Sequence, residues 1–410
     1  MRFLPLLITC FIDSLGFGLV FPIFSALIMN PEHGILPFDT TLTMRGWIFG
    51  LLISSFCVGQ FFGGPVLGAL SDRLGRKKIL LLTLALAVFT YALAGFGVIG
   101  KSVSLLLVAR LVGGWAAANW TIAQTIIVDQ STEEEKPKNF ALLGMAWGTG
   151  FIIGPFLGGK LSDPAWGGSL SLPFWVAAGF CLINATMLIF QLKETLPANR
   201  MAKVSWLAGV HHLKKAFTTP KLRSIFLTMF IFCFGWGFFT EFCPIFLIEH
   251  LHFELSEVAN FFAWIGIWIA ICQGLLIRPF LKRFKPHVLL SCSLLGLALV
   301  MPLMLFVHEA WGMFAVIPLV AFFDAMIFPN ASTLVSNLSD KEAQGEVLGI
   351  HNSIQWAAIG FAPLFAGSAV ALVPHLPITV AMVAMLIAFF VFMRAFRKKK
   401  ALAQEVEEVE

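Results

Sequence analysis

Residues 46–99 read GWIFGLLISSFCVGQFFGGPVLGAL (46–70), SDRLGRKK (71–78) and ILLLTLALAVFTYALAGFGVI (79–99). Two apolar runs of more than 20 residues flank a short gap that carries one acid and four bases. An apolar run of about 20 residues is long enough for an α-helix to cross the core of a bilayer. The stretch therefore predicts two membrane-spanning helices that are joined by a tight, charged turn.

The rest of the chain has the same character. Its 410 residues are 58% hydrophobic and only 12% charged, and the mean hydropathy is +0.87. Soluble domains are roughly half apolar and a quarter charged, so a soluble globular protein is excluded. Because lipid cannot satisfy backbone hydrogen bonds, only helices or a closed barrel can span it, and the long apolar runs favour helices. We expect an all-α integral membrane protein with the lipid bilayer as its solvent.

Twelve apolar segments are predicted as transmembrane helices. They cover residues 3–29, 46–70, 79–99, 104–128, 140–161, 172–192, 225–248, 256–281, 287–307, 311–338, 347–373 and 376–396. With both termini on the cytoplasmic side, most of the 28 basic residues fall in cytoplasmic loops, as the positive-inside rule requires. We therefore expect cytoplasmic N- and C-termini and a multi-pass protein of the cell (cytoplasmic or inner) membrane.

The longest polar gap divides the chain into two parts of similar size. We expect an N-terminal six-helix bundle over residues 1–192, a cytoplasmic linker over 193–222, a C-terminal six-helix bundle over 223–397 and a cytoplasmic tail over 398–410. The linker pattern predicts an amphipathic helix: its apolar positions are Trp206, Leu207, Val210, Leu213 and Phe217, opposite His211, Lys214 and Lys215. Gly154-Pro155 in the fifth span is echoed by Ala362-Pro363 in the eleventh, which suggests duplicated, pseudo-symmetric bundles with a site between them.

Several motifs resemble the major facilitator superfamily, in particular its drug/proton antiporter branch, which includes the tetracycline exporters. The stretch GALSDRLGRKK (68–78) is similar to the family's loop signature almost position for position. The fifth span resembles the antiporter motif of that branch through the glycines and proline of a close-packing helix, namely Gly144, Gly148, Gly150, Gly154, Pro155 and Gly158. In the fourth span, Arg110 and Gly114 resemble a further motif, although Gly113 stands where a glutamine is usual.

The resemblance implies a proton-coupled secondary transporter that works by alternating access and exports a small amphipathic organic molecule or drug. The alternative is a proton-driven importer of a nutrient, siderophore or metabolite on the same fold. The resemblance also implies a gate formed by Asp72, Arg73, Gly75, Arg76 and Asp129, in which Arg73 pairs with Asp129 and Asp72 faces the start of the eleventh span. Ordinary positive-inside anchoring would explain the bases of this loop, but not Asp72 and the two spaced glycines.

Ionisable side chains inside spans are the candidates for proton coupling or substrate binding, since burying one in lipid costs at least about 3 kcal/mol. Asp13 in the first span and Arg110 in the fourth lie at similar depth, and we predict that they form a pair, either for coupling or as a permanent structural bridge. Asp324 and His351 also share a depth and are predicted to form a polar patch, although a buried histidine is more often a packing group. Glu241 is expected to reach the interface or to line an outward vestibule.

Aromatic side chains are expected to line the cavity, because the chain has 43 Phe and 12 Trp against a single Tyr. Most of the phenylalanines must nevertheless face lipid. The cavity candidates are Trp115, Asn119, Trp120, Gln124, Trp147, Trp236, Trp264, Gln273, Asn330, Asn352, Gln355 and Trp356.

Other classes of function have no support in the sequence. The seven cysteines show no metal-ligand or disulfide spacing, and no phosphate-binding loop or nucleophile motif occurs. We therefore expect no enzyme activity, no cofactor, no metal site and no nucleic-acid partner. The expected partners are a small-molecule substrate and protons, and we expect a monomer.

Overall fold

The computed structural model describes the backbone of residues 3–407 except for 34, 118, 132–135, 196–206, 219–221, 308, 339–343 and 374. For some of these residues only the backbone is described. Their side chains are left out at residues 21, 22, 33, 128, 129, 136–138, 140, 141, 208, 209, 216, 255, 256, 259, 278, 282, 336, 344–346, 348, 365–372 and 397–407. The predicted linker residue Trp206 and the tail beyond residue 407 therefore lie outside the described residues.

The described chain is helical throughout. The helices of the first half are α1 (Leu4–Met29), α2 (Leu42–Leu74), α3 (Arg76–Ile99), α4 (Val103–Ala116), α5 (Asn119–Gln130), α6 (Lys136–Ser162) and α7 (Leu172–Gln191). The linker contains α8 (Ala208–Thr218). The second half contains α9 (Arg223–Leu251), α10 (Leu255–Ile271), α11 (Arg278–Arg283), α12 (Pro286–Val300), α13 (Ala310–Asn337), α14 (Gln344–Leu372) and α15 (Leu376–Glu407).

The predicted spans match these helices in order. In the part of the chain that is described, ten helical segments are long and apolar enough to cross a membrane. The predicted eighth span contains a shorter apolar helix, Asn260–Leu276, and the predicted eleventh corresponds to α14. The all-helical class is thereby confirmed, while the number twelve and the cytoplasmic termini stay predictions.

Three spans are less regular than the sequence suggested. The fourth span is interrupted between α4 and α5, where the amide of Ala117 turns back to the carbonyl of Gly114. The eighth span passes from α10 through a π-helical turn, Cys272–Leu276, into α11. The ninth ends as a 3₁₀ segment, Met301–Phe306, where Pro302 has no amide hydrogen with which to continue an α-helix. Hydropathy alone detects none of these irregularities, because a single polar residue such as Asn119 or Gln273 leaves the span apolar on average.

Each half packs through close helix pairs, and the halves meet along two further pairs. In the first half, α1 lies along α6 and α2 lies along α4; in the second half, α9 lies along α15. Between the halves, α2 packs on α14 and α6 packs on α10. The linker helix α8 contacts α2, α9 and α14, and the ring of His212 lies 3.2 Å from the hydroxyl oxygen of Ser353. His212 therefore packs against the bundle.

The two faces of the bundle are joined differently. We call the face at which α1 begins and α15 ends the terminal face, and the opposite one the far face. One apolar cluster near the far face joins both halves, since it includes Phe24 and Phe49 together with Phe242 and Ile245. Near the terminal face, the buried members of a second cluster, among them Leu6, all come from the first half. In the described residues, apolar packing thus unites the halves more fully at the far face.

Candidate functional site

Asp13 is held by a polar network that links three helices. The side-chain amide of Asn119, the first residue of α5, donates to Asp13 Oδ1 at 2.9 Å. The hydroxyl of Thr83 on α3 donates in turn to Asn119 Oδ1. Asn119 and Thr83 are buried, whereas Asp13 keeps some exposure. Asn119 was predicted as a cavity residue, which stays a prediction, and its amide binds the acid of the first span.

The predicted pair of Asp13 and Arg110 is wrong for this structure. In the described residues, no carboxylate oxygen lies within ion-pair distance of the Arg110 guanidinium. The guanidinium lies 4.3 Å from the ring centre of Phe56 and 5.0 Å from that of Phe24, and its Nε donates to the Leu52 carbonyl at 3.4 Å. Similar depth did not bring the two charges together, because aromatic rings and a backbone carbonyl occupy the surroundings of the guanidinium.

Glu241 lies ten residues before the end of α9 and is buried, so its side chain does not reach outward as the first expectation had it. That it lines an outward vestibule stays a prediction. Its side chain is 6% exposed, and Oε2 has no hydrogen-bond partner among the described residues. Its charge interacts with that of Arg110 from the other half of the molecule. The neighbouring residue Phe242 packs edge-on against Phe49 of α2 at 5.4 Å between ring centres. Glu241 therefore lies where the two halves meet.

Asp324 and His351 are both buried, but they do not form the predicted polar patch. No hydrogen bond or ion pair joins them in the described part of the chain. Asp324 Oδ1 and both ring nitrogens of His351 have no hydrogen-bond partner there. The His351 ring lies 6.4 Å from the ring of Phe226, and the amide of Asn330 bonds to the carbonyl of Met326 on its own helix. These groups therefore do not join in one hydrogen-bonded patch.

Aromatic rings form a continuous path through the first half. Successive ring centres join Trp120 to Trp147 at 6.2 Å, Trp147 to Phe151 at 5.4 Å, Phe151 to Phe17 at 6.3 Å and Phe17 to Phe56 at 5.6 Å. Phe56 is also one of the rings beneath Arg110. We call these five residues the aromatic path. Phe17, Phe56 and Phe151 were not singled out in the sequence, where nothing separates them from lipid-facing phenylalanines.

The other cavity candidates have varied surroundings. Trp236 stacks on Phe232, and Trp115 packs against Gly63 of α2. The Trp264 indole donates to the Phe314 carbonyl at 2.8 Å. Gln273 is exposed in the π-helical turn, whereas Gln124, Asn352, Gln355 and Trp356 are half-buried. Their part in a cavity stays a prediction.

The predicted close-packing motif of the fifth span is only partly right. A side chain at Gly150, Gly154 or Gly158 would collide with the backbone of α1, so these glycines permit the close approach of α1 and α6. Gly144 and Gly148 face open space and mediate no such contact. The reason is helix rotation, because the two-residue step from Gly148 to Gly150 turns about 200° and places them on opposite faces of α6. α6 continues as a helix through Pro155.

The charged turn after α2 differs in its pairing from the gate that the resemblance implied. Gly75 has φ +107°, which allows the sharp reversal into α3. Asp72 pairs with Arg76 at 2.5 Å, and the same arginine donates to the hydroxyl of Ser71. Arg73 is exposed, and the side chain of Asp129 lies outside the described residues, so their predicted pair stays a prediction.

Glu194 completes this turn, and it was missed in the sequence because it lies about 120 positions away in the linker. Its carboxylate accepts from the amides of Arg76 at 2.8 Å and Lys77 at 3.2 Å, at the start of α3. Carboxylates are favourable at helix N-termini, where backbone N–H groups have no partner inside the helix. The linker is thus tied to the turn.

Long apolar helices with buried acids and an arginine near mid-depth define a membrane transport protein. The sequence profile of the Major Facilitator Superfamily matches residues 6–363 and, in a second match, 274–410. The chain therefore belongs to the Major Facilitator Superfamily. It is a transporter of small molecules and not an enzyme, and it is a multi-pass protein of the plasma membrane.

Known relatives agree with this assignment. The chain is 30% identical over 365 residues to Multidrug resistance protein 1 of Bacillus subtilis (strain 168), with 88% of each chain covered. It is 26% identical over 369 residues to Quinolone resistance protein NorA of Staphylococcus aureus (strain COL), with 87% of each covered.

Solved structures share the fold. The crystal structure of the human organic anion transporter MFSD10 matches with a TM-score of 0.74 and 22% identity, covering 95% of this chain and 98% of that one. A D-xylose-proton symporter matches with a TM-score of 0.74 and 16% identity, covering 95% and 97%.

Proposed function

We propose that the protein exports small amphipathic organic molecules in exchange for protons. The observation that carries this proposal is the similarity to Multidrug resistance protein 1 over 88% of both chains. That protein and NorA are both named for resistance to drugs, and export of the drug from the cell is the simplest way for a membrane transporter to give resistance.

The substrate in this proposal contacts the aromatic path. Ring faces offer a large contact area with few directional bonds, which suits amphipathic molecules of varied shape. Trp147 is exposed and lies between Trp120 and Phe151. Arg110, at the end of the path, adds one positive charge held by Phe24 and Phe56.

The protons in this proposal are carried by three acids within the spans, the half-buried Asp13 and the buried Glu241 and Asp324. A carboxylic acid inside a membrane protein changes its proton affinity strongly when its surroundings change. Glu241 lies at the meeting of the halves and interacts with Arg110. Movement of the halves therefore changes the charge that Glu241 experiences.

Alternating access in this proposal uses two six-helix bundles, residues 1–192 and 223–397, linked by residues 193–222, and one chain suffices as a monomer. The apolar cluster near the far face joins residues of both halves. The cluster near the terminal face does not. A crevice that opens toward the terminal face is consistent with this difference. Separation of the far-face cluster then gives the state in which the crevice opens toward the far face.

The test uses inverted membrane vesicles with an imposed pH gradient and a pH-sensitive dye. We expect amphipathic dyes and drugs to dissipate the gradient only when the protein is present, because each molecule moved releases protons. The Glu241→Gln variant is expected to lose this exchange, whereas Glu249→Gln, an exposed site on the same helix, is expected to keep it. Two results contradict the proposal. One is movement of the compound in the same direction as the protons, and the other is proton–drug exchange that remains intact in Glu241→Gln.

A further inference from the structure

Asn119 has an unusual position in the fourth span. It is the first residue of α5, directly after the interruption that separates α4 from α5. It is 2% exposed, and both ends of its amide are hydrogen-bonded, one to Asp13 and the other to Thr83. The interruption in the helix is therefore connected to an acid on another helix by one side chain.

The interruption is held from a second side by α2. Nε2 of Gln60 donates to the carbonyl of Ala117 at 3.3 Å, and Ala117 is the residue that follows the end of α4. Gly59 and Gly63 allow α2 to approach the backbone of Leu111 and Trp115 closely. We call Ala116, Ala117 and Asn119, with these two amide contacts, the joint of the fourth span.

Thr83 gives the network two complete arrangements. Its hydroxyl has one hydrogen and two acceptors within reach, the carbonyl of Leu80 at 2.8 Å and Oδ1 of Asn119. With Asp13 ionised, Asn119 Nδ2 donates to the carboxylate and Thr83 donates to Asn119 Oδ1. With Asp13 protonated, the acid donates to Asn119 Oδ1 once the amide has turned over. Asn119 Nδ2 then donates to Thr83, and Thr83 donates to Leu80.

We propose that Asn119, held by Thr83, is a positioning residue that transmits the proton state of Asp13 to the joint of the fourth span. The inference rests on the proposed function only in that Asp13 exchanges a proton. A hydrogen bond to an ionised group is about twice as strong as a neutral one. The joint is therefore held more firmly when Asp13 is ionised, and it loosens when the proton arrives.

The joint lies between Asp13 and two functional parts of the same span. Arg110 is on α4 before the joint, and Trp120 of the aromatic path follows Asn119 directly. A change at the joint alters the position of Arg110 relative to Trp120. Proton uptake at Asp13 thereby reaches the residues proposed to contact the substrate without any contact between the substrate and Asp13.

Other titratable groups near Asp13 do not compete with it in the relevant pH range. Those that interact with its charge are Cys10 on the same helix, Tyr91 on α3 and Cys181 on α7. Free thiols and phenols are neutral between about pH 5.5 and about pH 7.5. A change at the joint over this range therefore reports Asp13.

Hydrogen exchange of the full-length protein in lipid nanodiscs tests the proposal. Backbone amides of residues 114–123 are followed by mass spectrometry at about pH 5.5 and about pH 7.5, with rates corrected for intrinsic exchange and α12 as the internal reference. In the wild type we expect protection at the joint to fall by about tenfold at the lower pH. Asp13→Asn is expected to abolish the difference between the two pH values.

The variants separate a positioning role from a merely structural one. Asn119→Leu is expected to remove the pH difference, and Asn119→Ser, whose short side chain does not reach Asp13, is the second variant should Leu prevent folding. Thr83→Ser keeps the hydroxyl and is expected to keep the difference. Asn184→Leu is the matched control, because the Asn184 amide accepts from Thr9 and makes no contact with Asp13.

Equal protection of the wild type at both pH values, or a full pH response in Asn119→Leu, overturns the proposal. The vesicle assay described above keeps the two proposals apart. Absence of proton exchange there contradicts the proposed function. Proton exchange together with a joint that does not respond to pH contradicts the positioning role of Asn119 alone.

Discussion

The two halves of the molecule hold the ionisable groups within their spans in opposite ways. In the first half, Asp13 accepts a hydrogen bond from Asn119, and Arg110 is covered by Phe24 and Phe56. In the second half, polar atoms of Glu241, Asp324 and His351 have no hydrogen-bond partner among the described residues. Leaving a buried polar group without a partner costs about 1–3 kcal/mol, and more for a charged group. The unpartnered groups of the second half therefore destabilise the fold, so stability does not explain why they are buried there.

This comparison gives opposite expectations for the same substitution in the two halves. Neutralising an acid that has a partner removes a favourable interaction. Neutralising an acid without a partner removes a cost of burial. Stability and transport, measured together, therefore distinguish a structural role from a functional one.

The largest effect is expected for Asp324→Asn. We expect proton-driven transport to fall by about a hundredfold, which corresponds to about 2.7 kcal/mol, because one of the two acids proposed to carry protons in the second half is lost. The unfolding temperature should stay the same or rise, since a neutral amide is cheaper to bury than a carboxylate. Vesicle transport and thermal unfolding in detergent measure the two quantities. A clear drop in unfolding temperature with intact transport would show that Asp324 is structural.

A smaller effect with the opposite sign in stability is expected for Asp13→Asn. The amide oxygen still accepts from Asn119, but the charge-assisted bond becomes a neutral one, at a cost of about 1 kcal/mol. We expect the unfolding temperature to fall by a few degrees and transport to fall by about tenfold, the factor that about 1.4 kcal/mol represents. Thermal unfolding beside Asp324→Asn under identical conditions provides the comparison. A rise in the unfolding temperature of both variants would contradict the distinction between the two halves.

The smallest effect is expected for Glu194→Gln at the charged turn. The amide oxygen still accepts from the start of α3, but the favourable charge at the helix N-terminus is lost, at a cost of about 0.5 kcal/mol. We expect faster hydrogen exchange in the first turn of α3 and little change in overall stability. Glu309→Gln, an exposed acid before α13, is the control. Unchanged hydrogen exchange of the Arg76 and Lys77 amides in Glu194→Gln would mean that the carboxylate charge does not stabilise the start of α3.

Sequence reasoning succeeded where one physical rule acts over many residues. The spans followed from long apolar runs, and the turn at Gly75 followed from a short charged gap. Both depend on local composition, so tertiary contacts change them little. It failed where the result depends on which side of a helix faces a neighbour. Gly144 and Gly148 have the same spacing as Gly150, Gly154 and Gly158, yet only the latter three contact α1.

Partner choice was the main error. Asp13 and Arg110 have opposite charge and similar depth, and a pair was therefore expected. The structure instead gives Asp13 the amide of Asn119 and gives Arg110 two rings and a carbonyl. Equal depth in the membrane does not make two side chains neighbours, because they must also face each other. The sequence provides no information about the rotation of each helix. Glu194 was missed for a related reason, because its partners are distant in the chain.

The sequence by itself determined that this chain is an all-helical membrane protein, with a charged turn after α2 and few ionisable groups within its spans. Its hydropathy fixes this outcome, since the bilayer acts on every residue of a span in the same way. Only the tertiary structure decided that the fourth span is interrupted, that Asn119 connects the interruption to Asp13, and that Glu241 lies between the halves. Those arrangements depend on helix rotation and close packing, in which each contact requires the correct placement of two distant segments.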